Sequence, residues 1–119
     1  MPQIKFSETA LLDLQRLHAF LDQLDPRAAD NAVDEILNGI EHLYTLPFIG
    51  SPVDQRPNVR KLVVEFGAAG YLVFYKFYEE AELMLISTIL HQKELYDPQR
   101  IGLIEEQIEE GQINNRRLV

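Results

Sequence analysis

The sequence predicts an α+β domain: an N-terminal strand and an antiparallel helical hairpin packed on an antiparallel β-sheet, with a C-terminal helix after it. Three observations predict this. Leucines at spacings of three and four mark one helix, and aliphatic residues at the same spacings mark a second. Only Asp25-Pro26 separates them, so the helices run antiparallel. The stretch 59–96, VRKLVVEFGAAGYLVFYKFYEEAELMLISTILHQKELY, is dense in Val, Leu, Ile, Phe and Tyr, which suit a pleated, half-buried surface. Its interruptions are too short for a parallel crossover, so its strands pair as an antiparallel meander.

Each element follows in chain order. Residues 2–6 (PQIKF) alternate apolar and polar and read as a short edge strand. Ser7 is placed to cap a helix, with Glu8 favourable against the helix dipole. Leu11, Leu14, Leu17, Leu21 and Leu24 form one stripe, and Asp13, Arg16 and Asp22 fall mostly off it. Asp25 caps the second helix, with Pro26 at its first position. That helix carries Ala29, Ala32, Val33, Ile36, Leu37, Ile40, Leu43 and Tyr44, its small residues allowing close approach to the first helix. Pro47 ends it, and 48–57 (FIGSPVDQRP) reads as a loop punctuated by Gly50, Pro52 and Pro57.

Strands are expected at 59–66, 71–78 and 82–90, with Gly67 and Gly70 bracketing the first turn and Glu79, Glu80 and Ala81 making the second. In the first strand Leu62 and Val64 share one face, and Val63 and Glu65 the other. The second, apolar at nearly every position, suits the centre of the sheet. The third is similar, and its second apolar face needs cover from the terminal segment or a partner. A third helix is expected over 98–110, capped by Asp97 and marked by Ile101, Ile104, Gln107 and Ile108. The final INNRRLV carries too little pattern to assign.

Composition narrows the function. A chain of 119 residues suits one domain with a real core. There are no cysteines, which excludes disulfides and thiolate metal sites and fits a reducing compartment. The first residues lack the apolar core of a signal peptide, and no apolar run approaches a membrane span, so a cytoplasmic protein without membrane partners is expected. The net charge of −8 argues against general binding to a phosphate backbone, which needs Lys and Arg to displace counterions. It leaves room for a local basic patch or a basic protein partner.

The polar residues on and after the strands supply the candidate chemistry. Arg60 and Lys61 on the first strand, with His91, Lys93 and Tyr96 just past the last, can converge on one face. A histidine, a tyrosine and cations at a cleft suit general acid/base work on a phosphodiester. The plainer alternative is that His91 bonds the strand end, Tyr96 packs and the cations pair with glutamates. His18 and His42 lie on helices between apolar positions, with no Asp/Glu/His set at ligand spacing, so neither a metal nor any other cofactor is expected. No phosphate-loop or metalloprotease pattern is present. Glu105, Glu106, Glu109 and Glu110 form an acidic face, either solvated or available to a basic partner.

Three motifs in this order and spacing resemble the RelE/ParE toxin superfamily: Arg60-Lys61-Leu62-Val63, Gly70-Tyr71-Leu72-Val73-Phe74-Tyr75 and His91-Gln92-Lys93-Glu94. The resemblance covers roughly residues 2–97. It implies a toxin domain over 1–97, with 98–119 as a C-terminal helix and tail of the same domain. It implies a growth-inhibiting toxin of a bacterial type II toxin–antitoxin system, often a plasmid stabilisation module, neutralised by a cognate antitoxin. Members of the RelE branch cut mRNA in the ribosomal A site, whereas ParE-like members inhibit DNA gyrase by binding it. The His-Gln-Lys run is closer to ParE. The third strand offers no arginine, and Gln92 stands where the nuclease branch commonly has a basic residue. On the ParE reading, Tyr71, Tyr75, Gln92 and Lys93 are the binding residues. On the ribonuclease reading, Arg60, Lys61, His91 and Tyr96 are catalytic, with ribosome and mRNA as partners. A degenerate, non-toxic binding module is a third reading. A homodimer through the sheet edge or the C-terminal segment stays open.

Overall fold

Both helices begin where the capping residues put them. The computed structural model describes residues 2–96. Helix α1 spans Glu8–Asp22, and Ser7 Oγ accepts the Ala10 N–H at 3.0 Å. Helix α2 spans Pro26–Glu41, and the Asp25 carboxylate accepts the N–H groups of Arg27 and Ala28. A short 3-10 helix, His42–Tyr44, continues α2. The predicted third helix and tail lie outside the described residues.

The buried stripe of α1 differs from the leucine count. Ala10, Asp13 and Leu17 are buried, with Leu14 and Leu21 packed against the core. Leu11 and Leu24 lie largely in solvent. The true stripe is rotated by about one residue, because the helix sits against the edge of the sheet and turns Asp13 inward. On α2 the expected Ala29, Ala32, Ile36 and Ile40 are buried.

Among the described residues five strands form one sheet: β1 (Gln3–Phe6), β2 (Ser51–Val53), β3 (Arg56–Phe66), β4 (Ala69–Tyr78) and β5 (Leu83–His91), in the order β1-β5-β4-β3-β2. The meander β3-β4-β5 is antiparallel and β4 is central. The sheet as a whole is mixed. β1 pairs parallel with β5, Phe6 opposite Ile86, since the entire hairpin and meander lie between them in sequence. The stretch 48–57 is only partly loop. β2 pairs with β3, Ser51 opposite Lys61, and Pro52 sits in it because an edge strand tolerates a missing N–H.

α1 packs on β5 and α2 on β3. Between them and one sheet face lies the main core, where Leu17, Ile36, Ile40 and Leu43 meet Val64, Val73, Met84 and Ile89. On the other face Val59, Leu72, Phe74 and Leu90 form a smaller buried cluster. The β3–β4 connection is tight at Gly70, where a Cβ would fall 2.7 Å from the Val64 carbonyl oxygen. A strand backbone cannot step aside as a side chain can. Gly70→Ala is therefore expected to cost about 2 kcal/mol of unfolding free energy, read from urea titration.

Candidate functional site

The predicted site residues divide into two groups at opposite ends of β4. Side chains alternate along a strand, so adjacent Arg60 and Lys61 point to opposite faces. Arg60 lies opposite Tyr75 on the helix-facing side, and Lys61 opposite Phe74 on the other. His91 lies opposite Tyr71. Tyr71 and Tyr75 are four residues apart on one strand, a separation of about 13 Å at the usual rise of a strand. Arg60 and His91 therefore do not meet, and Lys61 faces away from both. Tyr96 ends the short 3-10 helix Gln92–Tyr96, and its side chain lies outside the described residues.

At the first end, Tyr75 is fully enclosed. Its hydroxyl donates to the Pro47 carbonyl at 2.9 Å and accepts the Gly50 N–H at 3.0 Å. Burial raises its pKa, offset in part by the Gly50 N–H and the Arg60 charge. Arg60 Nη1 donates to the carbonyls of Gly50 (2.6 Å) and Phe48 (3.1 Å), and the guanidinium lies 5.0 Å from the centre of the Phe48 ring. Phe48 in turn meets Phe77 edge-on at 5.3 Å. A buried hydroxyl and a cation thus hold the segment 46–50 in one shape.

At the second end, the His91 ring stands edge-on against the buried Tyr71 ring at 5.3 Å. The Lys93 N–H donates to His91 Nδ1 at 3.1 Å, which favours the neutral tautomer carrying its proton on Nε2. Gln92 Oε1 accepts the Gly70 N–H at 3.1 Å and so closes the start of β4. Lys93 is exposed. Burial, followed by the Glu94 carboxylate, raises the Tyr71 pKa, so this phenol stays protonated near neutrality.

The His91 pKa is lowered chiefly by burial; Glu94 works against the shift and Lys93 adds to it. The unfolded chain then binds a proton that the folded chain resists. Stability is full above the unfolded value near 6.5 and falls as pH drops from there toward the lowered native value. The slope of urea midpoint against pH below 6.5 is expected to flatten in His91→Gln.

Three residues outside the expected set tie this end to α1. Asp13 Oδ2 accepts the Thr88 hydroxyl at 2.5 Å and the Ile89 N–H at 2.9 Å. Arg16 bridges Asp13 at 3.3 Å and Glu94 at 2.7 Å, and it also donates to the Ile89 carbonyl. Glu94 Oε1 accepts the His91 N–H at 2.9 Å. The one legible sign was the helical spacing of Asp13, three residues after Ala10 and four before Leu17. The Arg16 side chain is 36% exposed, so solvent screens its pair with Glu94. Glu94→Gln is expected to cost under about 1 kcal/mol in stability, with faster amide exchange at His91 as the clearer sign.

Among the described residues no group of His, Asp and Glu side chains is arranged to hold a metal ion. Among the described residues no helix is long and apolar enough to cross a membrane.

A strand, a helical hairpin and an antiparallel meander on which that hairpin lies make up the fold that carries both ends of the site. Two solved structures share it. The chromosomal ParDE system from P. aeruginosa matches with a TM-score of 0.64 and 22% identity, covering 76% of this chain and 96% of that one. The intact E. coli RelBE toxin–antitoxin complex matches at 0.55 and 14%, covering 76% and 95%. Among curated proteins, Toxin RelE3 of Caulobacter vibrioides is 36% identical over 94 residues, which is 79% of this chain and 98% of that protein. Residues 4–96 match the family described as ParE toxin of type II toxin-antitoxin system, parDE, and the chain belongs to that family.

Proposed function

We propose that this toxin acts by binding DNA gyrase and is held inactive by a cognate antitoxin. The observation that carries this reading is the scatter of the cations. Arg60 holds the segment 46–50 through Nη1, Lys61 lies on the opposite face, and His91 sits at the far end of β4 from Arg60. A phosphodiester-cleaving site needs its general acid, base and charge stabilisers within reach of one reacting group. Such a gathering is missing among the described residues, whereas exposed apolar side chains suited to protein contacts are plentiful. The acidic balance agrees with a protein target over an RNA one.

The antitoxin reading rests on α1. Leu11, Leu12 and Phe20 are exposed on it and Leu24 just past its end, the kind of surface that an amphipathic helix and an extended segment of a partner bury. Residence in the cytoplasm follows from this function, since both partners act there.

The purified protein is expected to inhibit supercoiling by gyrase, and inducing the chain alone should stall growth. Unaffected supercoiling at saturating protein sinks the gyrase reading. One observation favours mRNA cleavage on the ribosome instead: the 36% identical relative bears the name of the RelE branch. Cleavage of mRNA on translating ribosomes, lost in His91→Ala, would select that reading.

A further inference from the structure

We propose that the segment 46–50, together with Arg60, is the surface by which this toxin docks on its target protein; this rests on the protein-binding reading above. Leu46, Phe48 and Ile49 are 52%, 50% and 52% exposed, three large apolar side chains within four residues. A connection between elements rarely spends that much apolar surface on solvent without a partner.

This segment is also unusually well held. Tyr75 reaches up from the core to bond both Pro47 and Gly50, and Arg60 grips the carbonyls of Phe48 and Gly50 from the side. Gly50 is pressed so close that a Cβ there would lie 2.8 Å from the Tyr75 ring and 2.9 Å from the Lys61 carbonyl. A loop fixed before binding loses little conformational freedom on binding, and the affinity gained is larger for it. Rigid aromatic and aliphatic anchors beside an arginine have the makeup of an interface hot spot.

Arg60 specifies the partner's chemistry. Nη1 carries both of its hydrogen bonds, and Nε and Nη2 have no acceptor among the described residues. The guanidinium is half-buried and stacked on Phe48, so its open edge is aimed and fixed. That edge matches a carboxylate in two-pronged geometry. The occupant is therefore a protein surface with an apolar pocket for Leu46, Phe48 and Ile49 and an Asp or Glu at its rim.

The test uses the full chain against purified gyrase holoenzyme, with growth arrest on induction as a second reading. The double variant Leu46→Ser/Ile49→Ser changes side chains that make no hydrogen bonds. It is expected to melt close to the parent yet bind gyrase about 30-fold more weakly, equivalent to about 2 kcal/mol, and to lose growth arrest. Val63→Thr, exposed on the opposite sheet face, should bind within about twofold. If the double variant fails to fold, Ile49→Glu sets a like charge against the partner's carboxylate and gives the same loss. Parent-like binding and arrest in these variants overturn the proposal, as does an equal loss in Val63→Thr. If the parent arrests growth without touching gyrase and the loop variants abolish arrest, the gyrase reading falls and the docking surface stands. If the parent neither binds gyrase nor arrests growth, both fall.

Discussion

Asp13→Ala is expected to lower the free energy of unfolding by about 2–4 kcal/mol. The reason lies at the edge of the sheet. β1 pairs with β5 only as far as Phe6 and Ile86. Beyond that point no strand among the described residues lies beside the outer edge of β5, and the start of α1 takes over. Ser7 donates through its backbone N–H to the Ile86 carbonyl and through Oγ to the Ser87 carbonyl at 2.7 Å. Asp13 then accepts the Ile89 N–H and the Thr88 hydroxyl, and Arg16 donates to the Ile89 carbonyl.

Ser87 is the residue skipped where the β4–β5 register shifts, so β5 is bulged there and its edge groups are turned toward the helix. Alanine at 13 strips the acceptor from the buried Ile89 N–H, which costs about 1–3 kcal/mol when left unpaired, and it also removes the bond from the Thr88 hydroxyl, worth about 1 kcal/mol. The Arg16 contact adds little, since that side chain is partly in water. Asp13→Asn keeps one acceptor oxygen and should lose roughly half as much. Urea unfolding at neutral pH decides the matter: a loss under about 1 kcal/mol in Asp13→Ala means the edge is satisfied without it.

Tyr75→Phe is expected to cost about 2–3 kcal/mol while leaving the ring where it is. The phenol hydroxyl stands between the buried Gly50 N–H and the Pro47 carbonyl, and no other described group reaches the Gly50 N–H. The ring itself packs in the main core, so the change removes bonding without opening a cavity. Two measurements separate this from general loosening. Amide exchange at Gly50 should rise well beyond the change in global stability, while exchange in the centre of β5 should track the global change alone. Gly50→Ala attacks the same contact from the other side, by driving a Cβ into the Tyr75 ring. Uniform acceleration across the sheet would mean that the hydroxyl does not hold the segment.

The helix starts were legible because capping is local. Ser7 and Asp25 bond N–H groups two or three residues ahead, within reach of any reading of neighbouring residues. The meander was legible for a similar reason, its turns being too short to permit another pairing. The leucine stripe misled, since counting Leu11 and Leu24 ignored the possibility that an aspartate would be the buried member. β2 was hidden by Pro52, since a proline marks a loop in isolation but is tolerated on an edge strand.

The candidate site was the least legible part. Arg60, Lys61 and His91 are close in the motif order that resembles the toxin superfamily, yet alternation and register send them to two faces and two ends. Tyr75 belongs to that motif order too, and its hydroxyl is bonded to the segment 46–50. Nothing in the residues near Tyr75 announces that, because its partners lie 25 and 28 positions away.

By itself the sequence determined the two helices and their starts, the N-terminal strand, the antiparallel meander and the family, all of which depend on short-range periodicity, capping, turn length and motif order. Tertiary structure alone decided which face each cation takes, that β1 runs parallel to β5, and that α1 completes the β5 edge through Asp13 and Ser7. The contacts behind that edge join residues 75 to 80 positions apart. Such pairings depend on the register of strands meeting across the whole chain, and a shift of one residue would turn every one of them to the opposite face.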